Sequence, residues 1–301
     1  MHRRLASTSR FQRVILSQGV TVCIALFALM CMVGNGVGWT FTLMMSVLIV
    51  WTMYFINKVY YLTHSPAISF VGLFMMLQCA MPAGVEASAM VYAFAVLVCT
   101  FILFSVFNHR EFTRSIYLIF LILGAGALFE RCYLWTVPIF WLGLAVMRAF
   151  SMRGLVASLL GCLTVPLLAL GFNLMPIEAV REPYLFISFD EMLDAFRHIG
   201  GVEIVASLVL AASLCVIFGG VAFLTAYGYP ARTRSFCMFF YLLAGASLLI
   251  AVADFSESAV PCTVMLNVCA ALHTSHFATS RSHTGWVVPL VVMICMTLNI
   301  F

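Results

Sequence analysis

From Val205 to Ala226 the chain carries no charged residue, and runs of the same kind recur along its whole length. About 20 consecutive apolar residues are what an α-helix needs to cross ~30 Å of hydrocarbon at 1.5 Å per residue. In lipid every backbone polar group must find its partner inside the protein, so only helices and closed barrels span a bilayer. The runs show none of the apolar/polar alternation that a barrel strand requires. Only 9% of the 301 residues are charged, where a soluble domain has about 25%, so there is too little charge to cover a water-facing surface. The expected fold class is all-α integral membrane: a polytopic helical bundle, one unit over residues 1–301.

Eleven spans are expected: Val14–Val33, Trp39–Ile56, Pro66–Met81, Ala87–Phe107, Ser115–Leu128, Tyr133–Met147, Leu155–Met175, Val205–Ala226, Phe236–Ala253, Val260–His276 and Trp286–Phe301. The first is too long for the core of a signal peptide and is read as an uncleaved helix. Ser115–Leu128 is short for a span. If it pairs with Tyr133–Met147 as a re-entrant hairpin, the count falls to nine. Pro138 and Pro166 lie inside spans, and Pro138 is expected to kink its helix. Tyr60 and Tyr61 stand where an aromatic belt would put them.

Alternating the connections across the membrane separates the charges. Arg3, Arg4, Arg10, Arg13, Lys58, Arg110, Arg114, Arg148, Arg153, Arg232, Arg234 and Arg281 fall on one side with Glu111. On the other fall Arg131, Arg181 and Arg197 with the remaining acids, from Glu86 to Glu257. The lysine and arginine bias assigns the first side, with the N-terminus, to the cytoplasm and leaves the C-terminus outside. The stretch Phe129–Pro166 is the most strongly punctuated, with Glu130-Arg131 at one end of an apolar span and Arg148 and Arg153 at the other. It is expected at the centre of the bundle.

The one long polar segment is an extracytoplasmic loop, residues 176–203. Within it Phe189, Met192, Leu193, Phe196 and Ile199 share one helical face, and Ser188 with Glu191 makes a capping-box pattern. A short amphipathic helix at the membrane surface follows, with Asp190, Glu191 and Asp194 on its wet side. Those carboxylates suit metal binding or acid/base work on a sugar, and equally a solvated helix face. Glu130 and Arg131 suit an ionic pair facing a substrate, or plain loop charges. Arg148 and Arg153 suit a lipid phosphate within the bundle, or anchors to headgroups. Arg181 joins them as a possible phosphate binder on the outer side. His273 and His276 lie three apart with His283 nearby, but no carboxylate lies close in sequence to complete a metal site, so neither metal nor cofactor is expected. Eleven cysteines all fall in or beside apolar runs and form no CxxC; Cys132 and Cys262 are the pair that would oxidise if they met. The small-residue clusters at Gly124–Gly126, Gly219-Gly220 and Ala244–Ser247 favour close helix approach. No phosphate-binding loop, dinucleotide fingerprint, serine-hydrolase elbow or zinc-protease motif is present, nor any basic aromatic patch for nucleic acid.

The block TVPIFWLGLAVMRAFSMRGLVASLLGCLTVP (136–166) resembles the central block of an uncharacterised polytopic membrane family of Bacteroidota bacteria, a domain of unknown function. FINK (Phe55–Lys58), SPAISFVGLFMMLQCAMP (Ser65–Pro82) and SAVPCTVML (Ser258–Leu266) resemble further blocks of it. Members of the family carry a glutamate after the second arginine, where this chain has Gly154. The resemblance implies a multi-pass protein of a bacterial cytoplasmic (inner) membrane and supplies neither an activity nor a site.

Two functions follow as expectations. The first is a transporter-like or accessory component of cell-envelope assembly, with the lipid bilayer and other membrane proteins as partners. The second is an integral-membrane glycosyltransferase or polymerase acting on lipid-linked sugars, with the outer carboxylates, Arg131 and Arg181 at its site. Against the second, the first outer connection (Gly34–Gly38) has no acid.

Overall fold

A computed structural model describes residues 39–62, 67–79, 81, 87–107, 112–173, 202–226, 228 and 230–278. Every element among them is an α-helix: α1 Trp39–Tyr60, α2 Ala67–Cys79, α3 Ala87–Ser105, α4 Thr113–Gly126, α5 Arg131–Val146, α6 Met152–Gly171, α7 Val202–Ala226, α8 Ala231–Ala253 and α9 Phe255–Ala278. Each expected span from Trp39 to His276 coincides with one of these helices. The spans Val14–Val33 and Trp286–Phe301 and the loop 176–203, with its expected amphipathic helix, lie outside the described residues, apart from the first residues of α7. Among the described residues four helices are long and apolar enough to cross a membrane: Phe41–Tyr60 in α1, and α3, α6 and α8.

The helix ends have local causes. Ser151 caps α6, its hydroxyl accepting from Gly154 N at 3.1 Å. α5 closes with Ala149 N donating to Leu144 O at 2.9 Å and Arg148 N to Ala145 O at 3.0 Å, a Schellman pattern that puts Arg148 at φ 57°. α8 and α9 are joined by Asp254 alone, at φ −130°. Pro138, Pro166 and Pro261 sit inside α5, α6 and α9. A helical proline cannot donate to the carbonyl four residues back, so Pro166 leaves the Cys162 carbonyl without its helical partner. α4 lies against that carbonyl through the bare face of Gly124.

The bundle is organised around α9, not around Phe129–Pro166. α9 packs against α2, α3, α5, α7 and α8, and from Ser258 to Ser275 every residue is buried except half-buried Val260. α5 touches this axis, but α6, the second half of the expected centre, packs chiefly on α4. α6 exposes Val156, Leu160, Leu163 and Leu167, and α1 exposes Met44, Val47, Trp51 and Phe55. The reason is the polarity of α9, the least apolar helix described. Its hydroxyls and amide are tolerable in an apolar medium only when other helices cover them. Most hydroxyls are then answered within the helix itself: Thr263 donates to Ala259 O at 2.6 Å, Thr274 to Ala270 O at 2.7 Å and Ser275 to Leu272 O at 2.8 Å.

The two ends of the bundle differ. At one, Tyr60 packs edge-on to Phe104 and Phe236 at 5.4 and 5.1 Å, and the Arg232 guanidinium lies 5.7 Å from the Tyr60 ring centre. Tyr60 is therefore part of the core, and only Tyr61, 75% exposed, is placed as a belt residue would be. The other end is acidic.

Candidate functional site

The acidic end is built where the α4–α5 turn meets the α8–α9 hairpin. The turn is held by Phe129 N and Glu130 N donating to Gly126 O at 2.9 and 3.0 Å. Glu130 takes the N-cap position of α5 in extended backbone, without a side-chain capping bond. Arg131 pairs across the helices with Glu257, Nε to Oε2 at 3.5 Å. Arg131 is 19% and Glu257 54% exposed, so the pair sits at the rim. Just inside, Asp254 is 2% exposed; its Oδ2 accepts from Ser258 Oγ at 2.7 Å and its Oδ1 has no partner among the described residues. Beneath it, the Tyr92 and Thr136 hydroxyls meet at 2.8 Å, and Tyr92 stands edge-on to Tyr133 with ring centres 4.9 Å apart. Cys132 and Cys262 are buried here as free thiols, with no disulfide between them.

Arg148 and Arg153 flank the α5–α6 connection at the opposite end of α5, both exposed and with no ion-pair partner among the described residues. The structure therefore does not bring Arg131 together with Arg148 and Arg153. Arg181, Asp190, Glu191 and Asp194 lie outside the described residues. So does His283, and of the His276 side chain nothing is described. His273 stacks flat on Tyr241, ring centres 4.4 Å apart and planes 2° from parallel. Gly219 makes room for this stack: a Cβ there would stand 3.1 Å from the Tyr241 ring. Among the described residues no group of three or more His, Cys, Asp or Glu is placed to hold a metal ion.

A second polar region lies halfway along α9. Asn267, 1% exposed, donates its Nδ2 to Leu77 O at 3.4 Å, and its Oδ1 has no partner among the described residues. Leu77 belongs to the last turn of α2, a helix of only 13 residues. On the same turn Gln78 is 4% exposed, with neither Oε1 nor Nε2 partnered among the described residues. Neither amide figured among the residues expected to act. The signal was available: each is a lone amide within an apolar run, where a polar side chain is costly unless it is used. In the sequence Asp254 is one more outer acid, because nothing in its neighbourhood announces a one-residue connection between two helices.

No protein-family model, no curated protein and no solved structure matches the chain.

Proposed function

We propose that the chain is a multi-pass protein of a bacterial cytoplasmic membrane that works as a transporter-like component of the cell envelope, binding a small polar solute within its bundle. The observation that carries this reading is α9, a helix with polar residues at intervals along its length, enclosed by five others, whose mid-length Asn267 leaves its Oδ1 unpartnered where the unpartnered Gln78 amide of α2 ends its helix. A helix that only anchored the chain would need no such groups, and their burial has a cost that packing alone does not offset. In this reading the count is eleven spans, with the N-terminus inside and the C-terminus outside. Lys58, Arg114, Arg148, Arg153, Arg232 and Arg234 all lie at helix ends on the aromatic side of the bundle, which supports calling that side cytoplasmic. The Arg131–Glu257 pair sets the α4–α5 turn level with the end of α8, a 23-residue helix, which supports two full spans over a re-entrant pair.

The glycosyltransferase reading draws on Arg131 as a phosphate binder, and Glu257 already engages that guanidinium. The test uses right-side-out membrane vesicles containing the protein, incubated with an isotope-labelled extract of small polar metabolites and read by mass spectrometry. Accumulation of at least one labelled solute above protein-free vesicles is expected. No accumulation, together with build-up of lipid-linked sugars in cells lacking the protein, would replace the transporter reading by the enzyme one.

A further inference from the structure

We infer that the C-terminal end of α2 and the midpoint of α9 form a binding site for a monovalent cation. The inference rests on the reading of α9 as the polar axis of a membrane bundle and assigns a ligand class to that axis.

The geometry begins with length. α2 has 13 residues, about 20 Å of helix, against the ~30 Å needed to cross. Its last turn meets Asn267, which stands about 18 Å along an α9 of roughly 36 Å. α2 therefore ends in the middle of the bundle, where a full-length helix would pass through. A helix ending there brings its last carbonyls and the negative end of its dipole into an apolar interior. Two of those carbonyls are answered: Gln78 O by Met81 N at 3.2 Å, and Leu77 O by Asn267 Nδ2. Because the Asn267 nitrogen is turned to Leu77 O, its Oδ1 faces away with no donor. Gln78 adds a second free oxygen, Oε1, and a free Nε2.

What remains is a neutral site richer in acceptors than in donors, at the negative end of a helix. An anion is opposed by both features. A divalent cation would need carboxylates, and the nearest acid on α9, Glu257, is ten residues, about 15 Å, back toward the acidic end. One positive charge fits: amide and main-chain oxygens at the broken end of a half-helix are the ligands that suit an alkali cation in a low-dielectric bundle. An ion that keeps one water also gives Gln78 Nε2 an acceptor.

The test is thermal unfolding of the purified full-length chain in detergent, in NaCl, KCl or choline chloride at equal ionic strength. A ligand that binds only the folded state raises the midpoint in a saturable way. The wild type is expected to melt a few degrees higher in one alkali salt than in choline, and the two alkali arms report which ion the site prefers. Gln78→Leu and Asn267→Leu should each raise the half-saturating concentration at least about tenfold. Gln78→Glu is nearly isosteric and adds a negative charge, so it should lower that concentration. It keeps the test decisive if the leucine variants do not fold. Equal midpoints in all three salts, or a cation effect that none of these variants alters, would overturn the site. Solute uptake in the same vesicles separates the two ideas. Uptake that persists in choline with cation-insensitive melting retires the site and keeps the transporter. Cation-dependent melting without any uptake keeps the site and retires the transporter.

Discussion

Arg148 shows how the charged residues of this chain divide into structural and chemical roles. It holds a left-handed conformation, φ 57°, that costs a residue with a Cβ roughly 1–2 kcal/mol and glycine almost nothing. Its side chain is exposed and unpaired among the described residues, so little is lost with it. Arg148→Gly should therefore raise stability by about 1 kcal/mol, read as a higher unfolding midpoint in detergent. A fall of similar size would mean that the guanidinium has a partner beyond the described residues. Arg131 behaves differently. It is paired with Glu257 at the rim, where exposed ion pairs contribute about 0–1 kcal/mol. A double-mutant cycle over Arg131→Ala and Glu257→Ala should give a coupling below about 1 kcal/mol. A larger coupling would mark the pair as desolvated and central to the acidic end. The sequence singled out both arginines, and their opposite positions along α5 followed from the charge pattern. That Arg131 bonds to a residue 126 positions away did not follow, because only tertiary packing supplies that partner.

Elements were the most legible level, and the glycines show both why and where this stops. The small-residue clusters around Gly124, Gly219 and Ala244–Ser247 predict close helix approach. The structure sorts them. A Cβ at Gly161 would lie 2.6 Å from Tyr117 O and 3.1 Å from Leu121 N, so α4 and α6 touch backbone to backbone; Gly124 makes the reciprocal contact at the Cys162 carbonyl. At Gly220 and Gly245 nothing lies within 4 Å. Gly161→Ala should then cost about 2 kcal/mol, because a helix backbone cannot give way as a side chain does. Gly245→Ala should be neutral or stabilising by up to about 1 kcal/mol, from helix propensity alone. Unfolding midpoints of the two variants in one detergent check both. If they lose the same stability, the α4–α6 contact is not the close one described. A small residue in a span leaves room for a close neighbour; which neighbour takes it depends on the bundle.

At the scale of the molecule, the helical membrane class was legible because bilayer thickness fixes a run length that can be counted along the chain. The centre of the bundle was not. A helix facing lipid and a helix facing other helices are built from nearly the same apolar residues, since lipid tails are as apolar as leucine. The charged brackets of Phe129–Pro166 suggested a centre, yet charges mark helix ends, and α6 within that stretch turns Leu160 and Leu167 outward. The better guide was polarity without charge. Thr263, Asn267, His273, Thr274 and Ser275 spread polar groups along α9, and a helix that carries so many has to be enclosed. The same lone amides, Gln78 and Asn267, were the legible trace of the candidate site. Orientation is checked by reporters fused after Gly201, expected outside, and after Arg234, expected inside; the reverse pattern would invert the charge assignment.

The central claim is that α9 is the lipid-inaccessible axis of a membrane bundle. Photoactivatable lipids crosslinked to the intact protein in bilayers, with the modified residues mapped by mass spectrometry, test it most directly. Adducts are predicted on Met44 and Trp51 of α1, Leu160 and Leu167 of α6, Val216 of α7 and Leu249 of α8, all exposed on the bundle, with none between Ser258 and Ser275. Adducts along that segment of α9, at a frequency matching those on α1, would contradict it.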